Sequence, residues 1–224
     1  MSYKYETHLH TAESSACAVS KGAEYIKPYI DAGYSGLFVT DHFFGGNTAI
    51  DRSLPWRDKI EQYCRGYENA LNEAAKYQNF KVFFGIEQTF DGDDYLIYGP
   101  DKKWLLSHPE IETMTHEDLF DYANDLGWLI VQAHPFRQRH YIQAIHIHFR
   151  HIHAIETYNA SNHQIENDLA AAFAKAYNFP TTCGSDIHDA ANVTDGSLIL
   201  RPMTFDTPLK NVGDYIRRIK DKIE

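Results

Sequence analysis

The stretch Lys4-Tyr5-Glu6-Thr7-His8-Leu9-His10 reads as a strand over 4–9 that runs out into a pair of imidazoles. Alternate residues of an extended chain point to the same side, so His8 and His10 share a face and can clamp an ion from one direction. The pattern recurs down the chain. A strand expected at 36–40 ends in Thr40-Asp41-His42, one at 81–86 in Glu87, and one at 128–132 leads into His134-Pro135. A strand at 180–183 leads through Gly184-Ser185 into Asp186-Ile187-His188, repeating the alternate spacing of the first pair. Asp93-Asp94 precedes a run at 95–98, Asn159 stands just past a strand at 154–157, and a late strand is expected at 197–200.

Helical patterns fill the gaps near 22–32, 58–77, 115–126 and 165–177, with a last one near 212–222. Ala70, Leu71, Ala74 and Ala75 suit one helix face, and Leu119, Tyr122, Ala123 and Leu126 another. Pro28 should kink the first helix or delay its start. Strand–helix alternation predicts a parallel sheet with helices outside it. A closed barrel and an open doubly wound sheet both fit that alternation. The polar residues decide: an open sheet spreads its strand ends along a line, whereas a barrel gathers them on one rim, where barrel enzymes place their chemistry. The expectation is one α/β barrel domain over 1–224.

Bulk properties bound the function. An apolar fraction of 43% and a charged fraction of 23% in 224 residues describe an ordinary globular chain. A net charge of −10 argues against long nucleic acid as a partner, because that needs a basic surface. It leaves room for a small phosphorylated substrate, since bound cations invert the local field. No run approaches the roughly 18 apolar residues of a membrane span, and the first residues form no signal peptide, so a cytoplasmic location is expected. Cys17, Cys64 and Cys183 form no CxxC pair and read as reduced thiols.

Taken singly, each strand-end motif has a plain reading: a half-buried strand, a solvated carboxylate, a turn. Together they do not, because a rim imidazole or carboxylate is costly unless paired or metal-bound, yet one recurs at nearly every strand end. A multi-metal site follows, and its mixed imidazole and carboxylate donors suit Zn, Mn or Fe. A second histidine group, His140, His146, His148, His151 and His153, has no acid within it until Glu156 and reads as a polar segment over the rim.

His8-x-His10, Thr40-Asp41-His42, Gly85-Ile86-Glu87, Ala133-His134-Pro135 and Gly184-Ser185-Asp186-x-His188 resemble, in order and spacing, the motifs of the polymerase and histidinol phosphatase (PHP) domain, over residues 4–202. The resemblance implies a distorted seven-stranded (β/α)7 TIM-like barrel, two or three divalent metals and phosphoesterase activity. Carried over by position, His8, His10, Glu87 and Asp186 would hold one metal. Glu87 would bridge to a second held also by His134, and His42 with His188 would take a third. Two positions depart from the usual histidines. Asp94 stands where many members have a histidine after the bridging glutamate, and Glu13, with Cys17 behind it, stands shortly after the first motif.

Two metals roughly 3.5–4 Å apart would activate a shared water and clamp a phosphoryl group. Asp41 is expected to orient His42 or a neighbouring ligand, and His188 is a candidate proton donor to the leaving group. Arg137, with Arg139 second, is the candidate phosphate donor, and Asn159 a candidate substrate contact. The favoured substrate is a small phosphomonoester. The competing readings are an amidohydrolase-type metal hydrolase and a non-catalytic metal-binding PHP module.

Overall fold

A computed structural model describes residues 2–221. It contains nine strands and seven α-helices: β1 (Tyr3–Glu6), α1 (Ile26–Asp31), β2 (Gly36–Val39), α2 (Trp56–Tyr63), α3 (Arg65–Ala74), β3 (Lys81–Phe84), β4 (Ile86–Phe90), β5 (Asp93–Tyr98), α4 (Lys102–Ser107), α5 (His116–Asp125), β6 (Leu129–Gln132), β7 (Ala154–Asn159), α6 (Gln164–Ala176), β8 (Thr181–Gly184), β9 (Met203–Phe205) and α7 (Val212–Lys220). Lys222, at the end of the last expected helix, lies outside the described residues.

The mixed α/β architecture is as expected. The closed seven-stranded barrel is not. The described strands form a four-stranded sheet in the order β3-β2-β1-β9 and a five-stranded sheet in the order β4-β5-β6-β7-β8. β1, β2 and β3 run parallel, as do β6, β7 and β8, but β9 is antiparallel to β1, and β5 is antiparallel to both β4 and β6.

Two local causes explain the departure. The expected strand at 81–86 is divided at Gly85, where the chain leaves one sheet for the other. A Cβ there would lie 3.0 Å from Thr40 Cγ2 and 3.1 Å from the Tyr98 ring, so a side chain would wedge the two sheets apart. Next, Asp91-Gly92 closes β4 onto β5 with both residues at positive φ, 53° and 90°, the conformation of a tight two-residue hairpin. No helix intervenes, so this pair cannot be parallel. The single helix expected at 58–77 is likewise broken at Cys64, and the late strand forms at Met203–Phe205 rather than at 197–200.

The two sheets share a core. Tyr5, Phe38 and Phe83 of the first meet Leu96, Tyr98 and Val131 of the second, with Tyr215 of α7 closing one end. Each such buried side chain contributes about 1.5–3 kcal/mol. Beyond the apolar layer, the sheets touch again at two isolated parallel bridges, Leu9–Ile187 and His42–Glu87. His10 N donates to Ile187 O and Asp186 N to His8 O, while Glu87 N donates to Asp41 O. All six residues in these contacts, or their immediate neighbours, belong to the strand-end motifs. No helix among the described residues is long and apolar enough to cross a membrane.

Candidate metal centre

The two bridges bring residues far apart in sequence to one end of the sheets. His8, His10 and Glu87 are fully buried, Asp186 and His134 nearly so. His8 Nε2 lies 3.0 Å from Glu87 Oε1 and 3.4 Å from Asp186 Oδ1; His10 Nε2 lies 3.3 Å from Glu87 Oε2 and 3.1 Å from Asp186 Oδ1. His42 Nδ1 is 2.8 Å from Glu87 Oε2, and His134 Nε2 is 3.4 Å from Glu87 Oε1 and 3.8 Å from Asp94 Oδ2. Four groups have ligand atoms all within 4.8 Å of one another: His8–His10–Glu87, His8–His134–Asp186, Glu87–Asp94–His134 and His10–His42–His188.

Whether these donors fit cations is decided by Glu87. Both of its carboxylate oxygens are buried without a hydrogen-bond partner, and so is His42 Nδ1. Ring nitrogens of His8, His10, His42 and His134 lie 2.8–3.4 Å from its oxygens without hydrogen-bond geometry. A buried carboxylate left in that state costs several kcal/mol unless a cation faces it. Charge on the rings agrees. Burial, with His42 beside it, drives His10 down to about 3, so this ring is neutral and offers a lone pair. Burial opposes charge on His8, but Glu156, Asp186 and Glu87 outweigh it and raise His8 well above the ordinary histidine value. His8 Nε2 and His10 Nε2 stand 3.2 Å apart, and a metal held by both would displace any proton shared between them.

A ring of further residues sets the ligand orientations. Glu156, 1% exposed, accepts from His8 Nδ1 at 2.9 Å, from His134 N at 2.9 Å and from Asn159 Nδ2 at 3.0 Å. Since a carboxylate only accepts, His8 presents Nε2 to the cluster, the carboxylate–histidine arrangement of many metal sites. His10 Nδ1 meets Ser15 Oγ, which in turn donates to Asp41 Oδ1. His188 Nδ1 donates to Asp186 O at 2.8 Å. Glu6 accepts from the N–H groups of Thr7, His8 and Ser185 and fixes the β1 and β8 ends against each other. His134 and Asp186 have φ of 29° and 54°, a conformation costly for side-chain-bearing residues and concentrated at functional sites.

Of the residues singled out from the sequence, His8, His10, His42, Glu87, Asp94, His134, Asp186 and His188 all enter these groups. Glu13 does not: its carboxylate accepts from Gly22 N at 3.0 Å and Asn69 Nδ2 at 2.9 Å, away from the cluster. Cys17, exposed and beside His42 and His188, enters none of the four groups either. Burial raises the Cys17 thiol, but contacts with His188 and His42 outweigh it and bring it to about 6. Asp41 is also outside the cluster. It accepts from Thr11 N, Thr11 Oγ1 and Ser15 Oγ, so it steers His10 through Ser15 rather than His42 directly. Burial raises its carboxyl to about 7.

Arg137 reaches the cluster. Its NH1 is 2.7 Å from Asp186 Oδ2, and Asn162 and Asn159 accept from Nε and NH2. Asn159 is fully buried and bonded on both sides, to Arg137 and Glu156, so its side chain links two site residues instead of facing open space. Arg139 holds Glu166, at the start of α6. A cleft of about 520 Å³ opens beside Asp94 and His134, walled by Asp91, Asp93, Arg137, Tyr141, Ile145 and His146. Its outer wall is the second histidine segment, pinned by His146 and His148 on Asp93 and by Gln132 on His146 O. The acid this segment lacks in sequence comes from β5.

Glu156, Ser15 and Glu6 were not foreseen as site residues. Glu156 was detectable, as a lone acid on a strand otherwise reading as buried; Ser15 and Glu6 carry no sequence signal of their role.

No family model matches the sequence, and no curated protein matches it. Solved structures do. A two-domain protein from Bacteroides vulgatus, containing a predicted PHP-like metal-dependent phosphoesterase, superposes with a TM-score of 0.73 at 13% identity over 99% of this chain and 63% of its own. The chain therefore spans less than two thirds of that protein. A candidate metal-dependent phosphoesterase from Bifidobacterium adolescentis matches with a TM-score of 0.63 at 11% identity, covering 98% and 96% of the two chains. An amidohydrolase from Chromobacterium violaceum, solved with sulfate and no metal, matches at 0.56 and 13% identity, covering 96% of each chain. The PHP resemblance carried by the motifs is thus matched by a resemblance of fold to PHP-like structures.

Proposed function

We propose that this chain, with the fold of PHP-like structures, is a metal-dependent phosphoesterase acting on a small phosphomonoester. One observation carries the reading: Glu87, buried with both oxygens unpartnered, at the centre of four imidazoles and two aspartates. His8, His10, Glu87 and Asp186 would hold one divalent ion, Glu87, Asp94 and His134 a second, and His42 with His188 a third. Zn, Mn or Fe suit this donor set. When bound, such ions lower the pKa of coordinated water and neutralise charge on phosphoryl oxygens.

The protein's own contributions are geometric and electrostatic. Glu156 keeps Nε2 of His8 directed inward, and Asp41 does the same for His10 through Ser15. Arg137 neutralises Asp186 and lines the cleft, where the N–H groups left over from Asp186, Asn159 and Asn162 would meet a phosphate oxygen. His188, part-exposed at the rim, would hold a proton on Nε2 for the departing alkoxide only with the third position empty; with an ion there it would be a ligand instead. The open cleft of about 520 Å³ fits a compact substrate.

Elemental analysis of protein purified without added metal, followed by a hydrolysis panel, tests this. Two or three ions per chain and turnover of p-nitrophenyl phosphate are expected, both lost in Glu87→Ala. Turnover of amides or lactones in place of phosphate esters would favour the amidohydrolase reading, which has the Chromobacterium violaceum amidohydrolase as a neighbour in fold. Metal-loaded protein inert toward the whole panel would leave a binding module.

A further inference from the structure

The outer face of α6 has the composition of an inner one. The helix turns Glu166, Asn167, Ala170 and Ala174 to the protein, and all four are buried. A surface helix carries polar residues on its other side. Here Ile165, Leu169, Phe173 and Tyr177 instead follow at every fourth position and form one ridge along the helix and its C-cap. Ile165 is 60% exposed, Leu169 39% and Tyr177 56%, so nothing among the described residues covers the ridge. Exposed Ala172 and Ala176 widen it on one flank. On the other flank the exposed Phe149 sets its ring 4.7 Å from that of Tyr177 and 5.4 Å from that of Phe173.

The sequence of α6 is complementary to its own reverse. Turned end for end about a two-fold axis level with Ala171, Ile165 falls opposite Tyr177 and Leu169 opposite Phe173. The same operation brings Asp168 opposite Lys175 to within one residue, and both border the ridge on the same edge, so each copy's carboxylate meets the other's ammonium. Small Ala172 stands mid-ridge, where two helices would approach closest, and rows at every fourth residue are the ridges that interdigitate in the commonest class of helix pair. We infer that α6 is the contact between two copies of this chain, packed antiparallel about a two-fold axis. A lipid surface would suit the ridge but not its border: Lys175 is the one cation of α6, where a membrane-lying helix carries several, and a net charge of −10 opposes anionic lipid. The pairing is independent of what the cleft hydrolyses. It would nonetheless brace the cleft from behind, because Phe149 belongs to the segment whose His146 and His148 are tied to Asp93.

Sedimentation equilibrium of the full chain tests this. A contact built on one helix is small, so a reversible dimer is expected between about 1 and 200 μM. Leu169→Glu, at an already exposed position, should abolish the dimer over that range while thermal unfolding of the monomer stays in place. Asp168→Lys should weaken association about ten-fold or more by setting lysines against each other, and Lys175→Asp should do the same with carboxylates; the double exchange should recover it to within about three-fold. Circular dichroism checks that each variant keeps its fold. Amide hydrogen exchange over 147–150 and 164–177 should slow as concentration rises in the unaltered chain and not in Leu169→Glu. A chain monomeric throughout overturns the proposal, and its uptake by phosphatidylcholine–phosphatidylglycerol vesicles would assign the ridge to lipid instead. A dimer indifferent to Leu169→Glu, or a double exchange as weak as either single one, overturns it equally.

Discussion

Glu156→Gln is the sharpest perturbation available, because the exchange preserves shape and removes only charge and one acceptor. Three donors converge on this carboxylate: His8 Nδ1, His134 N and Asn159 Nδ2. An amide can satisfy them from one end only. With its oxygen toward His134 and Asn159, its NH2 faces His8 Nδ1, and His8 must move its proton to Nε2, the atom offered to the metal. With the amide reversed, the NH2 opposes two N–H groups. Asn159 cannot turn to help, since its Oδ1 already accepts from Arg137 and Ser161. A hydrogen bond to a charged group contributes about 1.5–3 kcal/mol, and at 1.4 kcal/mol per decade the expected loss of metal affinity is roughly 10- to 100-fold. Competition with a chromophoric chelator measures it, and thermal unfolding with excess chelator checks that the metal-free fold is intact. Affinity within about two-fold of the original, in a folded variant, would show that His8 needs no tautomer control and refute the argument.

Two further outcomes follow from the same structure. Gly66→Ala puts a Cβ 1.9 Å from Thr11 Oγ1 and 3.1 Å from Asp41 Oδ2, so the Thr11–Asp41 contact must give way; a loss of about 1–3 kcal/mol is expected, and an unshifted denaturation midpoint would contradict it. Glu166 is held below the usual carboxylate value: burial pushes it up, but the Gln138 and His163 N–H groups and Arg139 outweigh that. Its contribution is therefore present above the unfolded value of about 4.3 and lost as pH falls further. The stability gap between the unaltered chain and Glu166→Gln should be widest near pH 6 and close toward pH 3; a gap constant with pH would rule this out.

The convergence of the candidate donors was legible because they obey a period: alternate residues at strand ends, expected to meet, do meet. The sheet arrangement was less so. Asp91-Gly92 is a strong hairpin signal, yet the aspartates after it drew attention as donors and hid the turn. Gly85 gives no such warning, because a glycine inside an apolar run reads as continuing strand until Thr40 and Tyr98 are seen against it. Glu13 and Cys17 show the limit of donor chemistry as a guide. A carboxylate is the commoner ligand, but Glu13 is turned to Gly22 and Asn69, and neither it nor Cys17 enters any of the four groups. Arg137 and Asn159 do lie beside the cluster, but their mutual bond and their bonds to Asp186 and Glu156 are tertiary facts.

The bridges Leu9–Ile187 and His42–Glu87 carry donors on or beside every paired residue. One of them joins the first tenth of the chain to its last fifth. While the protein is being synthesised, His8 and His10 must wait for Asp186 and His188 until residues 186–188 have left the ribosome. If the cluster holds cations, their capture would be a late event in biogenesis, and a product cut short before Asp186 would lack one of the candidate donors however well its first sheet had formed.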